Sequence, residues 1–356
     1  LFKHLTHLNK RTIGIFIVSS TGFILTVVIV IQLTGIGRSS SPSDTGNPLE
    51  IKDVVFVLDS YAPNQSLDVS VTIVNHSELE TELWLGLSLQ NPLGEWLDIP
   101  LTEISMNSTD ERTVQLTPIL EDLSTDPLIS GSYSAVFSLW DSNPITDTSN
   151  RLATFESNEA FRLYQTLETF ETIDESIWFS REGTLGRTHL SEERVDIKND
   201  LLTITMPENT LNGGEIQTLD LVHYGSYEIR MKLPHAPSSI TGFFLYKAPD
   251  FHHEIDIEVF NQPEADVLFT TYSGGSVQHE AKAPLPFDPT ATFHNYRIDY
   301  YPDEVSFYID DQLFASWKDG FSQEPMHLMV NTWFPSWLDG IPPSENQTLE
   351  IEWIRY

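Results

Sequence analysis

From residue 49 onward, apolar side chains recur at every second position in short runs, and turn residues break each run. A period of two sends alternate side chains to opposite faces of a strand. A chain written this way buries one face of a sheet and does not pack as amphipathic helices. Runs at 54–57, 67–74, 83–89, 113–116, 133–140 and 160–164 read as strands, separated by turn residues such as Pro63-Asn64-Gln65, Asn91-Pro92-Leu93-Gly94 and Ser130-Gly131-Ser132. Further runs at 201–206, 225–232 and 305–309 continue the pattern. The fold class expected is all-β.

Ahead of residue 49 the composition changes. No charged residue occurs between 13 and 37, where apolar and small residues dominate, and about 20 such residues span a bilayer as a helix. The stretch exceeds the roughly 7–15 residues of a signal-peptide core and no Ala-x-Ala-like cleavage site follows it. An uncleaved transmembrane anchor at 13–37 is therefore expected, with a short cytoplasmic tail at 1–12. Lys3, Lys10 and Arg11 precede the span, which puts the remainder outside the cell membrane by the positive-inside rule. Residues 38–48, rich in Ser, Pro, Asp and Gly, have linker composition.

Length allows two folded units beyond the linker. Residues 49–165 resemble an immunoglobulin-like β-sandwich in strand spacing, without a diagnostic motif. Trp84 and Trp140 lie in apolar runs and are expected in its core, so this unit reads as a spacer rather than a glycan binder. Composition narrows the partners. There is no cysteine, and 19 basic residues stand against 52 acidic ones for a net charge of −33. That balance argues against nucleic acid and anionic lipid. Sequons at Asn64, Asn75, Asn107 and Asn346 permit glycosylation outside the cell.

The second unit, residues 166–356, carries the chemistry. In Glu254-Ile255-Asp256-Ile257-Glu258, alternation puts three carboxylates on one face and two isoleucines on the other. Three acids so close repel when ionised, and at least one should have a raised pKa. A carboxylate able to attack beside a carboxylic acid able to donate is what cleavage of a glycosidic bond requires. The alternative for the pentapeptide alone is an acidic outer face on an edge strand.

The flanking residues decide between them. His252-His253 precede the run and Val259-Phe260 continue it, with Gly242-Phe243-Phe244-Leu245-Tyr246 upstream. Downstream follow Phe269-Thr270-Thr271-Tyr272, Phe293-His294-Asn295-Tyr296-Arg297-Ile298-Asp299-Tyr300, Phe307-Tyr308-Ile309-Asp310-Asp311-Gln312-Leu313 and Val330-Asn331-Thr332-Trp333. This order resembles glycoside hydrolase family 16, in its licheninase-like branch with an unbulged ExDxE strand, over residues 167–356. The resemblance implies a concanavalin-like β-jelly roll of two antiparallel sheets with a sugar-binding cleft. It implies a retaining mechanism with Glu254 as nucleophile, Glu258 as acid/base, and Asp256 hydrogen-bonded to Glu254. Glu215, Tyr246, Tyr272, Asn331 and Trp333 match sugar-subsite positions, and Trp337 is a further aromatic platform. Departures stand at His252, Gln217 and Thr270, where licheninases have tryptophan, arginine and asparagine, so their mixed-linkage specificity does not carry over. No cofactor is required on this reading. Glu352 stands at the carboxylate of a structural calcium site found in many relatives, a thin ligand set on its own.

The function expected is an endo-acting hydrolase of β-linked polysaccharide at the outer cell surface. A transglycosylase would use the same carboxylates, and a non-catalytic glycan-binding module is the reading that the three departures favour. Product analysis separates the three.

Overall fold

The computed structural model describes residues 48–356. The expected tail, anchor and all but the last residue of the linker lie outside the described residues. Among the described residues no helix is long and apolar enough to cross a membrane.

Among the described residues strands account for nearly all regular structure, and the helical elements are the four-residue turn Leu120–Leu123 and a 3-10 turn at Glu192–Arg194. In the first half, a three-stranded sheet orders Leu49–Phe56, Val69–Asn75 and Glu111–Leu116. It faces a five-stranded sheet ordered Ser60–Tyr61, Arg151–Leu163, Gly131–Trp140, Thr81–Gln90 and Trp96–Met106. Leu83, Leu85, Leu87 and Leu89 point into the core between them, as do Val69, Val71 and Ile73. The core accounts for these strands: each alternates buried and partly exposed residues along its length.

That parity corrects the placement of two tryptophans. Trp84 alternates with the buried leucines, so it projects from the opposite face, and Trp140 is its cross-strand partner. Neither belongs to the core. The strand Trp96–Met106 does not stand out in the sequence because Pro100 interrupts it. It lies at the sheet edge, with a register irregularity against Leu85 and Leu87, which is where a sheet tolerates proline. Asn75 is a structural residue: its buried amide donates to the carbonyls of Leu79 and Asn107.

The second half is a pair of large antiparallel sheets around one core. The first orders Trp178–Ser180, Gly214–Thr218, His327–Trp333, Ile240–Lys247, His253–Phe260, Asp266–Ser273 and Ser276–Pro284. The second runs Val195–Lys198, Leu201–Met206, Gln347–Arg355, Gly225–Lys232, His294–Tyr301, Glu304–Ile309 and Gln312–Trp317, with Leu167–Glu168 beside Gln347–Arg355. This is the jelly-roll arrangement. Ile255, Ile257, Phe243, Leu245, Val330, Ile229 and Ile298 meet in the core between the sheets. Side chains in the opposite phase to these core residues therefore face away from the second sheet.

The two halves join through a polar cluster on the second sheet. Buried Glu228 accepts from Tyr164 Oη at 2.7 Å and from Arg355 Nε and Nη2 at 3.0 and 2.8 Å. Arg355 also donates to Ser60 Oγ at 3.2 Å and lies over the Tyr164 ring at 4.3 Å. Nearby, Tyr301 Oη donates to the Ser130 carbonyl. Here a buried carboxylate is satisfied by partners from both halves, and its cost rises steeply if one is removed. Arg355→Ala should destabilise the protein by about 3–5 kcal/mol, with Arg355→Ala/Glu228→Gln recovering much of the loss. Equilibrium denaturation by urea checks both, and a neutral Arg355→Ala would show that the cluster carries no stability.

Candidate active site

Ile255 and Ile257 are fully buried in the core, which forces Glu254, Asp256 and Glu258 onto the outward face of their sheet. The register then names their neighbours. Glu254 lies between Tyr246 and Tyr272, Asp256 between Phe244 and Thr270, and Glu258 between Gly242 and Leu268. The row through Glu258 continues from Gly242 to Asn331 and on to Glu215. One face thus gathers Glu215, Tyr246, Glu254, Asp256, Glu258, Tyr272, Asn331 and Trp333.

Hydrogen bonds fix the floor beside Glu258. Asn331 Nδ2 donates to Glu215 at 2.9 Å, and its Oδ1 accepts from the Gly242 amide at 3.2 Å. Both side chains are buried. Glycine is required at 242, because a Cβ there would come within 2.8 Å of Asn331 Oδ1. Arg181 supplies the countercharge, its guanidinium donating to Glu215 at 2.9 Å.

Toward Glu254, Tyr246 Oη donates to Asp250 at 2.5 Å. Phe251 packs on Tyr272 with ring centres 5.5 Å apart, and the Gly275 amide donates to the Phe251 carbonyl. His252 belongs to the same loop and lies against Gly275. At the other end of the face, Trp333 packs directly over Gly186, where a Cβ would fall 2.6 Å from the ring; that glycine also has φ +56°. Trp337 sits on the following loop, 55 % exposed, its ring edge-on to Phe260 at 5.8 Å. Arg187 holds this loop by donating to the carbonyls of Ser336 and Leu338.

The three acids titrate as a cluster. Burial raises Glu254 to about 8, helped by the charges of Glu258, Asp250 and Glu215. Burial also raises Glu258 to about 7, with Glu280 adding to the effect. Asp256 is pushed well above the carboxylate range by burial and by the two glutamates on either side. The site therefore holds protons near neutrality, and those protons belong to the set rather than to single residues. Among the described residues no hydrogen bond joins Asp256 to Glu254. Their coupling in this structure is electrostatic.

Several residues here escape the sequence reading. Arg181 becomes part of the site only because Trp178–Ser180 pairs with Gly214–Thr218. Asp250 enters through a turn, Glu280 by pairing opposite Thr270, and Phe179 by standing opposite Gln217, 48 % exposed. None has a diagnostic spacing. Glu352 lies on the other sheet, salt-bridged to Arg230 at 2.5 Å. Its carboxylate already has a cationic partner, and among the described residues no group of three or more His, Cys, Asp or Glu is placed to hold a metal ion.

Residues 186–355 match the model of glycosyl hydrolases family 16. A beta-glucanase of Bacillus amyloliquefaciens is 30 % identical over 184 residues, covering 49 % of this chain and 74 % of that protein. The chain belongs to glycosyl hydrolases family 16. A Bacillus licheniformis beta-glucanase is 29 % identical over 187 residues, covering 49 % of this chain and 73 % of that protein. The solved structure of a Bacillus licheniformis beta-glucanase superposes with a TM-score of 0.50 at 24 % identity, covering 54 % of this chain and 96 % of that one. That likeness concerns the fold alone.

Raised carboxyl pKa values are also a statement about stability. A group held protonated in the fold costs nothing below its ordinary value of 4.5 and destabilises as pH rises through its folded value. Stability from this cluster is thus present at acid pH and lost between about 4.5 and about 8. Asp256→Asn should raise Tm by a few degrees at pH 8, about 2–4 °C per kcal/mol at this domain size, with little gain at pH 4.5. Calorimetry at the two pH values checks it, and an equal gain at both would contradict the shifted cluster.

Proposed function

We propose that the protein is a retaining endo-β-glucanase that cleaves a β-linked polysaccharide through a covalent glycosyl-enzyme intermediate. The observation that carries this reading is the row Glu254, Asp256 and Glu258, its carboxyl groups raised by burial and mutual charge, on the open face of a family 16 jelly roll. In this reading the reactive form is the one in which Glu254 is ionised and the proton sits on Glu258; Glu254 then attacks the anomeric carbon while Glu258 donates that proton to the departing glycosidic oxygen. Glu258, then a carboxylate, takes a proton from water, which attacks the intermediate and releases Glu254. Asp256, the most deeply buried of the three, is pushed toward its protonated form, which limits the negative charge beside Glu254.

Tyr246, Tyr272, Asn331, Glu215, Trp333 and Trp337 are placed to bind sugar rings around the cleavage point. Pyranose faces present C–H groups that pack on aromatic rings, and the exposed Trp337 and partly exposed Trp333 offer such surfaces at one end. Where licheninases have an arginine, Gln217 is neutral, and Arg181 from the neighbouring strand brings a guanidinium to the same part of the sheet. The substrate's linkage is accordingly its own. The uncharged run at 13–37 supports an anchored enzyme working at the outer surface.

Glu254→Ala should reduce turnover of β-glucans by about a thousandfold or more. Glu258→Ala should do the same to polymers while sparing aryl glycosides whose leaving groups need no proton. Proton NMR of the first product should show the β anomer; an α product would replace the double-displacement scheme with inversion. The alkaline limb of kcat/KM should fall between about pH 7 and 8, measured with a soluble glucan, and a limb below pH 6 would contradict the proton-sharing cluster.

A further inference from the structure

All three tryptophans ahead of residue 166 project from one surface, the outer face of the five-stranded sheet. Trp84 and Trp140 stand side by side as cross-strand partners, half-buried, on strands whose alternate residues form the core. Trp96 is 55 % exposed and stands opposite Gln90, six residues from Trp84 along the same strand. At a rise of about 3.3 Å per residue the two ends lie roughly 20 Å apart. Between them the same face carries Gly86, Ser88, Ser134, Val136 and Ser138, with the Leu101 side chain lying beside Gly86. Apart from Val136 and Leu101, small side chains stand between the bulky ends and leave a shallow trough. Three indoles on the face turned away from the core, one of them 55 % exposed, form an aromatic surface that the core of leucine, valine and phenylalanine does not use.

We infer that this face is a polysaccharide-binding platform, remote from the catalytic strand, that takes a neutral β-linked glycan chain. Indole faces at the two ends pack on pyranose rings, and polar groups alongside bond to hydroxyls. Arg151 lies over Trp140 at 5.8 Å, and Ser88 donates to Asp98 at 2.5 Å on the trough's flank. Charge selects the occupant. Asp98, Glu103 and Glu156 share this face with Arg151, in a chain of net charge −33, so an anionic polymer, nucleic acid or anionic membrane is repelled. The choice of glycan rests on the proposed function, since a second contact with the polymer being cut raises its local concentration at the cleft. Position agrees. The strand Gly131–Trp140 starts at the junction with the jelly roll, where Gly131 abuts Tyr301, and reaches Trp140 at its far end. The trough therefore runs outward from the junction and is not covered by it.

The test is affinity gel electrophoresis of the full chain over a panel of soluble β-glucans, alongside hydrolysis of short aryl oligosaccharides. Parent and Glu254→Ala should both be retarded by the polymer. Trp84→Ala/Trp140→Ala should bind about tenfold more weakly, the order expected for two aromatic contacts, and should hydrolyse the short substrates at the parental rate. Trp96→Ala, at an exposed site that leaves the fold intact, should show a smaller loss in the same direction. Unchanged retardation of both tryptophan variants would overturn the platform. So would a tryptophan-dependent dimer in sedimentation with no glycan dependence, which would make the face a self-association surface. Retardation that needs the tryptophans while no glucan is hydrolysed would sustain the platform and reject the glucanase reading instead.

Discussion

The burial of Ile255 and Ile257 is the constraint on which the rest depends. Two isoleucines locked between the sheets fix the strand's register, and a slip of one residue would put three carboxylates into the core. The same register crowds Glu254, Asp256 and Glu258 onto the opposite face, where burial and mutual repulsion raise their proton affinity. Hydrophobic packing on one side of a strand thus holds an unfavourable arrangement on the other. That is the physical basis of a site able both to attack and to donate a proton near neutrality.

Neighbouring strands complete the face by the same rule. Gly242 leaves room beside Glu258, Asn331 ties that glycine's amide to Glu215, and Arg181 balances Glu215 from the next strand. On the far side of the core, Glu228 is enclosed by groups from both halves of the protein. Because the first half docks on that second sheet, the carboxylate face stays open, and so does the tryptophan face of the other sandwich. A polymer can then be held at two places by one chain, which multiplies apparent affinity without a new contact in the cleft.

Much of this was legible in the sequence, for identifiable reasons. Strands such as Leu201–Met206 and Gly225–Lys232 follow their alternating runs to the residue, since one buried face writes a period of two. The three carboxylates were legible because they lie on one strand. Arg181, Asp250 and Glu280 were not, because their place depends on pairings between distant strands or on a turn. Trp84 and Trp140 lie in apolar runs but outside the core, because each occupies the phase opposite to Leu83, Leu85, Phe137 and Leu139. The hydrogen bond expected between Asp256 and Glu254 is not formed among the described residues, and the two carboxyls act on each other through space.

The central claim is that Glu254 forms a covalent bond to the sugar while Glu258 handles the proton. The most direct measurement is intact mass followed by peptide mapping after incubation with a 2-deoxy-2-fluoro β-glucosyl oligosaccharide carrying an activated leaving group. The account predicts one glycosyl adduct per chain, located on Glu254 and formed also by Glu258→Ala. Turnover of glucan by a protein that never accumulates the adduct, or an adduct on any other residue, would contradict it.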